Sequence, residues 1–239
     1  MTKPEWHEAV DLVRPYVVKV STPSGSGTGF LITLSKDKEI CGVATAAHVV
    51  GYADSWEQPI RIYHYGSGEV VMLRHEDRAI LVEQATDAAA ILFNRDQVPF
   101  PEQSLRLPPE GMYLRIGNEV GWLGFPAMSP QNLCFFAGRV SSYLQDESAY
   151  LVDGVAINGV SGGPAFTPDD DGSVTVIGVI SAYIPNRATG EALPGLCLIT
   201  DVAHFYGAIQ TLESLDEAKE GEQGLLQNET HHEPETAGG

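Results

Sequence analysis

The sequence predicts an all-β protein, and three observations carry that prediction. Short β-branched or alternating runs recur along the chain, each broken by Gly, Pro, Asp or Ser. A proline-rich stretch lies near the midpoint, and one helical pattern closes the ordered part. Two β-barrels or sandwiches joined near residues 97–111 are the simplest arrangement of these elements, and a cleft between them is a natural place for a site. The 239 residues suffice for one large all-β domain or two small ones fused tightly, and the 43% hydrophobic content is ordinary for a globular chain.

In chain order, a short amphipathic segment at Pro4 to Leu12 comes first. The runs "YVVKVST", "GTGFLITLS", "EICGVATAAHVV", "IRIYHYG", "EVVMLRH", "RAILVEQ" and "AAAILFN" then read as strands. "VPFPEQSLRLPPEG" carries Pro99, Pro101, Pro108 and Pro109 and is too rich in proline for regular structure. Strand patterns resume in "EVGWLGFP", "LCFFAGRVSSYL", "AYLVDGVA", "VTVIGVISAYIP" and "GLCLITDV". "HFYGAIQTLESL" has helical spacing at Phe205, Ile209 and Leu212. No repeat of 20 to 50 residues is present.

The net charge of −18 argues against nonspecific nucleic-acid binding and against docking on anionic lipid, both of which draw on Lys and Arg clusters. Part of that charge is local, with eight acidic residues and one basic residue, Lys219, between Thr211 and Gly239. The end of the chain therefore reads as a solvated, disordered acidic tail. Charges at Glu5, Glu8, Asp11 and Arg14 interrupt the N-terminal segment, so neither a signal peptide nor a membrane span is expected. Cys41, Cys134 and Cys197 are an odd number without framework spacing, each in an apolar run, and read as buried reduced thiols. A cytoplasmic protein is the expectation.

Acyl transfer by serine needs a hydroxyl held against a base, an acid that fixes the base's tautomer, and backbone donors facing the developing oxyanion. Among seven histidines, His231 and His232 lie in the acidic tail, where no further ligand has metal-binding spacing. His64 and His75 fall in alternating runs and read as surface residues. His48 differs, because small residues in "ATAAHVV" lead from a strand into a tight turn that would fix the imidazole. Asp87, in "QATDAAAILF", stands immediately before an apolar strand, and Ser161 lies in the glycine-rich stretch "NGVSGGPAF". Each alone is compatible with an ordinary core or turn residue.

Together, these stretches resemble the trypsin/chymotrypsin-like serine peptidases, and more closely their bacterial HtrA-type and related cytosolic relatives. "TAAH" (45–48) is similar to the family's histidine motif, "TDAAAIL" (86–92) to its aspartate motif and "GVSGGP" (159–164) to its nucleophile motif. "GSGTGFLI" (25–32) and "GVISAY" (178–183) resemble the strand opening the first barrel and the strand lining the substrate cleft. The resemblance covers roughly residues 16–210. It implies two six-stranded antiparallel barrels of chymotrypsin type with a C-terminal helix. The first barrel would span 1–105 with the histidine and aspartate, the second 106–215 with the serine and the helix, and the acidic tail 216–239.

The same resemblance implies roles. Ser161 would attack the scissile carbonyl, His48 would shuttle its proton, and Asp87 would orient His48. The N–H groups of Gly159 and Ser161 would form the oxyanion hole, and Ser181 would hydrogen-bond the aspartate. Val155 and Ala156 would line the S1 pocket, while Ser181, Ala182 and Tyr183 would pair with substrate as an added strand. Without a carboxylate at Val155, a small or medium apolar P1 residue such as Ala, Val or Ile is expected. Val160 departs from the family, which carries Asp or Asn there, so the support of the oxyanion loop becomes an open structural question. Val49 follows His48 where the family has a disulfide cysteine, and no PDZ-like domain is expected after the catalytic unit. The expected protein is an intracellular serine endopeptidase without cofactor or metal, acting on a protein or peptide substrate, with no particular oligomeric state implied. The competing expectations are a catalytically silent or partner-activated peptide-binding module on the same fold, and a serine hydrolase directed at an ester or at its own chain. "GVSGG" also fits the Gly-x-Ser-x-Gly elbow of α/β-hydrolases, but here histidine precedes serine and helices are scarce.

Overall fold

The computed structural model describes residues 2–95, 98–109, 111–185 and 192–230. It is mostly antiparallel sheet, as the sequence predicts. The first half forms β1 (Val17–Thr22), β2 (Gly25–Leu34), β3 (Ile40–Ala46), β4 (Ile60–His64), β5 (Val70–Leu73), β6 (Arg78–Glu83) and β7 (Ala88–Asn94). These pair in the order β5-β4-β1-β2-β3-β7-β6. The central strands β3 and β7 are buried along almost their whole length, whereas β6 alternates between the two faces.

The expected six-stranded first barrel is therefore a seven-stranded sheet. The two edge strands, β5 and β6, are consecutive in the chain and joined through a 3₁₀ turn at His75–Asp77. These two edges are thus linked by covalent chain rather than by a ladder. Arg78 holds this seam, donating from its guanidinium to the carbonyls of Leu73 at 2.9 Å and Gln58 at 2.7 Å.

The second half holds β8 (Glu119–Gly124), β9 (Cys134–Leu144), β10 (Ala149–Asp153), β11 (Pro164–Pro168), β12 (Val174–Pro185) and β13 (Ala192–Asp201). They close into a six-stranded barrel in the order β10-β13-β12-β11-β8-β9. Strand β11 has no counterpart in the sequence reading, because prolines at both ends of "PAFTP" mask a strand that pairs Ala165 with Trp122 and Phe166 with Gly121. One hydrophobic cluster spans both halves, with Phe30, Ala44 and Ala90 from the first against Leu123, Phe125, Phe166 and Val179 from the second. Helix α1 (Trp6–Val13) adds Trp6 to the rings of Phe135 and Phe166. The two halves are thereby fixed against each other by shared burial.

Four expectations need correction. The run "ATAAHVV" does not end in a tight turn: from Ala47 to Ser55 the chain forms helix α2, whose Ala47, Val50 and Ala53 are buried. His64 is not a surface residue, since its ring is buried with Nδ1 at 2.9 Å from Ser67 Oγ and Nε2 at 2.7 Å from the Pro15 carbonyl. Cys41 and Cys197 are buried free thiols, each pushed by burial up to about 12, whereas Cys134 is only half-buried. Finally, the chain from 216 is helical rather than disordered as far as Thr230, because α3 runs from Tyr206 to Thr230. Ala208, Leu212 and Asp216 form its buried stripe, and Asp216 Oδ2 accepts the Lys36 N–H at 2.7 Å. Lys219 pairs with Asp37 at 2.9 Å. The acidic residues of this helix thus serve as acceptors for the β2–β3 turn. The last expected tail residues, 231–239, lie outside the described residues.

Asp201 gives the fold a pH dependence of its own. It is buried, and its Oδ1 accepts the Ala203 N–H at 2.8 Å to cap the turn that leads into α3. Burial pushes its carboxyl above the ordinary range, and burial together with the Asp201 charge pushes the nearby phenols of Tyr143 and Tyr150 up as well. A folded-state carboxyl raised above its unfolded value favours the fold at low pH and withdraws that contribution as pH rises through the folded value. Asp201→Asn keeps the capping oxygen without the charge. Thermal unfolding followed by circular dichroism should therefore show the variant gaining stability over the wild type as pH rises from 3 to 7.

Candidate active site

The site is assembled where the start of α2, the turn before β7 and the loop carrying Ser161 meet. Strand β3 delivers the small, buried residues Ala44, Thr45, Ala46 and Ala47 into the start of α2, and the Ala47 N–H donates to the Asp87 carbonyl at 3.0 Å. Their small size has a physical reason. A Cβ placed on Gly162 would collide with the Thr28 carbonyl and the Thr45 hydroxyl, so the loop carrying Ser161 lies directly on this segment.

His48 stands in the first turn of α2, half-exposed. Its backbone N–H donates to Asp87 Oδ1 at 2.9 Å, and its ring Nδ1 lies 2.8 Å from Asp87 Oδ2 and 3.0 Å from Oδ1. Occupation of Nδ1 by a carboxylate makes Nε2 the ring nitrogen available to a hydroxyl. Asp87 itself adopts φ +57°, a left-handed conformation that Asp tolerates better than most residues and that turns its carboxylate back onto α2. From β12 the buried Ser181 donates its hydroxyl to Asp87 Oδ2 at 2.6 Å. Burial is the largest single influence on the Asp87 carboxyl and pushes it up. The hydrogen bonds from the His48 ring, Ser181 and the His48 N–H more than offset this and hold it below the ordinary carboxylate range. The turn is also tied to the second barrel by Thr200, which donates to the Thr86 carbonyl at 2.8 Å.

Ser161 is clamped by both halves of the molecule. Its carbonyl accepts the Thr28 N–H from β2 at 2.8 Å, and the next N–H, that of Gly162, donates to the Ile180 carbonyl of β12 at 2.6 Å. Gly162 at φ +85° and Gly159 at φ +91° occupy conformations that favour glycine, and a Cβ at Gly159 would strike the Phe125 carbonyl. The Asn158 carbonyl accepts the Ala127 N–H at 2.7 Å, which sends the Gly159 N–H of the same trans peptide the opposite way. The Val160 carbonyl likewise accepts the Gly163 N–H at 2.9 Å, which turns the Ser161 N–H of that peptide away from Gly163. Among the described residues, neither Gly159 N–H nor Ser161 N–H donates to a backbone carbonyl.

Residues 27–179, more than half of the chain, match the trypsin-like peptidase domain. The chain belongs to the trypsin-like peptidase family. It is accordingly a hydrolase of the serine endopeptidase class. No curated protein matches it. Among solved structures it is similar to the serine endoprotease from Yersinia pestis, with a TM-score of 0.64 and 19% identity over 89% of this chain and 68% of that one. It is also similar to a protease of Mycobacterium tuberculosis in an inactive form, solved as a serine-to-alanine mutant, with a TM-score of 0.58, 19% identity and coverage of 89% and 95%. A second structure of an inactive protease gives 0.58, 20%, 89% and 98%. At these identities the likeness concerns the fold.

Within this peptidase, Val160 resolves the question raised by its departure from the family. Its side chain is fully buried with Trp122, Ile177 and Ile180, and Gly124 leaves the room it fills. The loop is then held by a residue the sequence reading missed. Thr28, fully buried, donates its hydroxyl to the Gly159 carbonyl at 2.8 Å and accepts the Phe125 N–H at 3.0 Å. The only sequence sign is a threonine between two glycines in "GTG". Thr28→Val leaves a buried carbonyl and a buried N–H without partners, at about 1–3 kcal/mol each. Melting and steady-state kinetics should show that loss together with a fall in kcat on the order of 10², with recovery in Thr28→Ser.

The expected specificity residues are less gathered. Val155 is half-exposed and Ala156 half-buried, in the loop leading from β10 to Asn158. Ala182 and Tyr183 continue β12, pairing by backbone with Leu198 and Cys197, while their side chains lie outside those described. Strand β11 accompanies β12 only from Val174 to Val179. From Ser181 onward, β12 therefore has a β13 neighbour on one edge and no strand partner on the other among the described residues. No group of three His, Cys, Asp or Glu able to hold a metal occurs among those residues, and no helix among them is long and apolar enough to cross a membrane.

Proposed function

We propose that the protein cleaves peptide bonds through a Ser161–His48–Asp87 triad and an acyl-enzyme. The observation that supports this reading is the chain of hydrogen bonds from Ser181 to Asp87 to His48 Nδ1, with the Ser161 backbone held between the two halves and its carbonyl packed near the first turn of α2. His48 Nε2 takes the Ser161 proton as Oγ attacks the scissile carbonyl carbon, and the carbonyl π electrons move onto oxygen. The Gly159 and Ser161 N–H groups face that oxyanion. On collapse, the imidazolium returns the proton to the leaving amine, and water repeats the sequence to release the acid. Asp87 stays ionised throughout, which its depressed pKa favours. The open edge of β12 takes the substrate backbone as an added strand.

The P1 preference follows from the absence of a carboxylate at Val155 and Ala156, so Ala, Val or Ile is the preferred residue. Two buried, unpaired thiols support a reducing, cytoplasmic setting. Incubating the protein with unfolded polypeptides and sequencing the products by mass spectrometry tests both parts. Cleavage after Ala, Val or Ile, lost in His48→Ala, is the expected result. Cleavage after Lys or Arg would overturn the P1 assignment, and no cleavage would overturn the activity.

A further inference from the structure

Helix α2 presents more than His48 to solvent. Its inner side is Ala47, Val50 and Ala53, all buried, while its outer side carries His48, Tyr52 and, at its C-terminal end, Trp56. Tyr52 is 55% exposed and Trp56 66%, unusual for such large rings side by side. Their centroids are 6.1 Å apart with the planes tilted by 40°, so each ring supports the other. Residues four and eight positions beyond His48 share its side of the helix. At about 1.5 Å rise per residue they stand about 6 and 12 Å from it along the axis.

The position of this aromatic pair ties it to the reacting centre. Val49, in the first turn of α2, and the Ser161 carbonyl both lie against Gly27, so the start of the helix packs beside the segment that carries Ser161. The segment around the rings is acidic. In sequence Asp54 and Glu57 flank Trp56, the latter in a left-handed turn; Asp54 interacts with Arg78, and the chain carries a net charge of −18. The nearby Arg78 guanidinium is engaged with the Leu73, Ala53 and Gln58 carbonyls. Two exposed aromatic rings on an acidic chain attract a cation by ring quadrupole and by the overall negative charge. An extended polypeptide advances about 3.3 Å per residue, so 6 to 12 Å corresponds to about two to four residues.

We propose that Tyr52 and Trp56 form a substrate platform that receives a Lys or Arg side chain about two to four residues from the scissile bond. This assignment rests on the peptidase reading above and adds a second specificity element to it, remote from the apolar P1 site.

The test uses the full chain and peptides that extend four residues to either side of one cleaved bond, with Arg, Lys, Leu, Glu or Ala placed at each position in turn. The quantity read is the ratio of kcat/KM for the Arg peptide to that for the Ala peptide, which cancels general changes in activity. The expected ratio is about two to five at one position two to four residues from the bond, falling as salt is raised. It should drop to about one in Trp56→Ala and also in Trp56→Leu, which keeps apolar bulk without the ring. A wild-type ratio near one at every position would overturn the platform, as would a preference for Leu or a ratio that survives both substitutions. Hydrolysis of all peptides with a flat profile defeats this inference alone. Absence of any hydrolysis, together with no fluorophosphonate adduct at Ser161, defeats the peptidase reading beneath it.

Discussion

Replacing Ser161 with alanine is expected to lower kcat for peptide hydrolysis by on the order of 10⁶, with little change in stability. The size of the effect follows from what the side chain alone contributes. The backbone around Ser161 is fixed without its hydroxyl: Thr28 holds its carbonyl, Ile180 holds Gly162, and Val160 holds Gly163. Ser161→Ala therefore deletes the proposed attacking atom and leaves the loop, the Gly159 and Ser161 N–H groups and strand β12 in place. Peptide binding measured with a non-cleaved substrate should be retained in the variant. Loss of binding along with loss of turnover would mean that the hydroxyl supports the cleft, and the nucleophile would have to be sought elsewhere.

Asp87→Asn is expected to cost on the order of 10⁴ in kcat while altering KM little. The carboxylate accepts from three donors, the His48 N–H, the His48 Nδ1–H and the Ser181 hydroxyl. An amide can satisfy some of these acceptors' roles but places an N–H against one of the partners. If that N–H meets Nδ1, the imidazole is held with its proton on Nε2, where it cannot take the proton of Ser161. The exchange also bears on stability. An aspartate depressed below its unfolded value adds stability above that value, and loses it as pH falls through the folded value. The wild type should therefore lose its advantage over Asp87→Asn on acidification below about pH 4, in a melting series across that range. A kcat for Asp87→Asn within tenfold of wild type would show that the Asp87 contact is structural.

The parts of this arrangement that were legible in the sequence are those where sterics forced unusual residues. The small residues of "ATAAH" and the paired glycines around Ser161 reflect one close approach of two loops, and that approach puts Gly162 on Ala46. Asp87 alone reads as an ordinary turn aspartate before the apolar run of β7, and it was singled out only by its order with the His48 and Ser161 motifs. What escaped notice depended on tertiary context. Helix α2 contains Val49, Val50 and Gly51, which read as strand or turn until the Ala47, Val50 and Ala53 stripe finds a surface to cover. The acidic stretch from 216 reads as tail because nothing local shows that Asp216 will meet the Lys36 N–H. His64 reads as exposed on alternation alone, yet the Pro15 carbonyl and Ser67 satisfy it inside the protein. Thr28 holds the loop before Ser161 through one hydroxyl, and its two buried hydrogen bonds leave no periodic trace.

The central claim is that Ser161 is an activated nucleophile in the folded chain. Intact mass spectrometry after treatment with a fluorophosphonate tests it most directly, because the reagent bonds to a serine whose proton is being withdrawn. The account predicts one adduct per chain, mapped to Ser161, absent in Ser161→Ala and strongly reduced in His48→Ala. An unmodified native protein, or an adduct that maps to another residue, would contradict it.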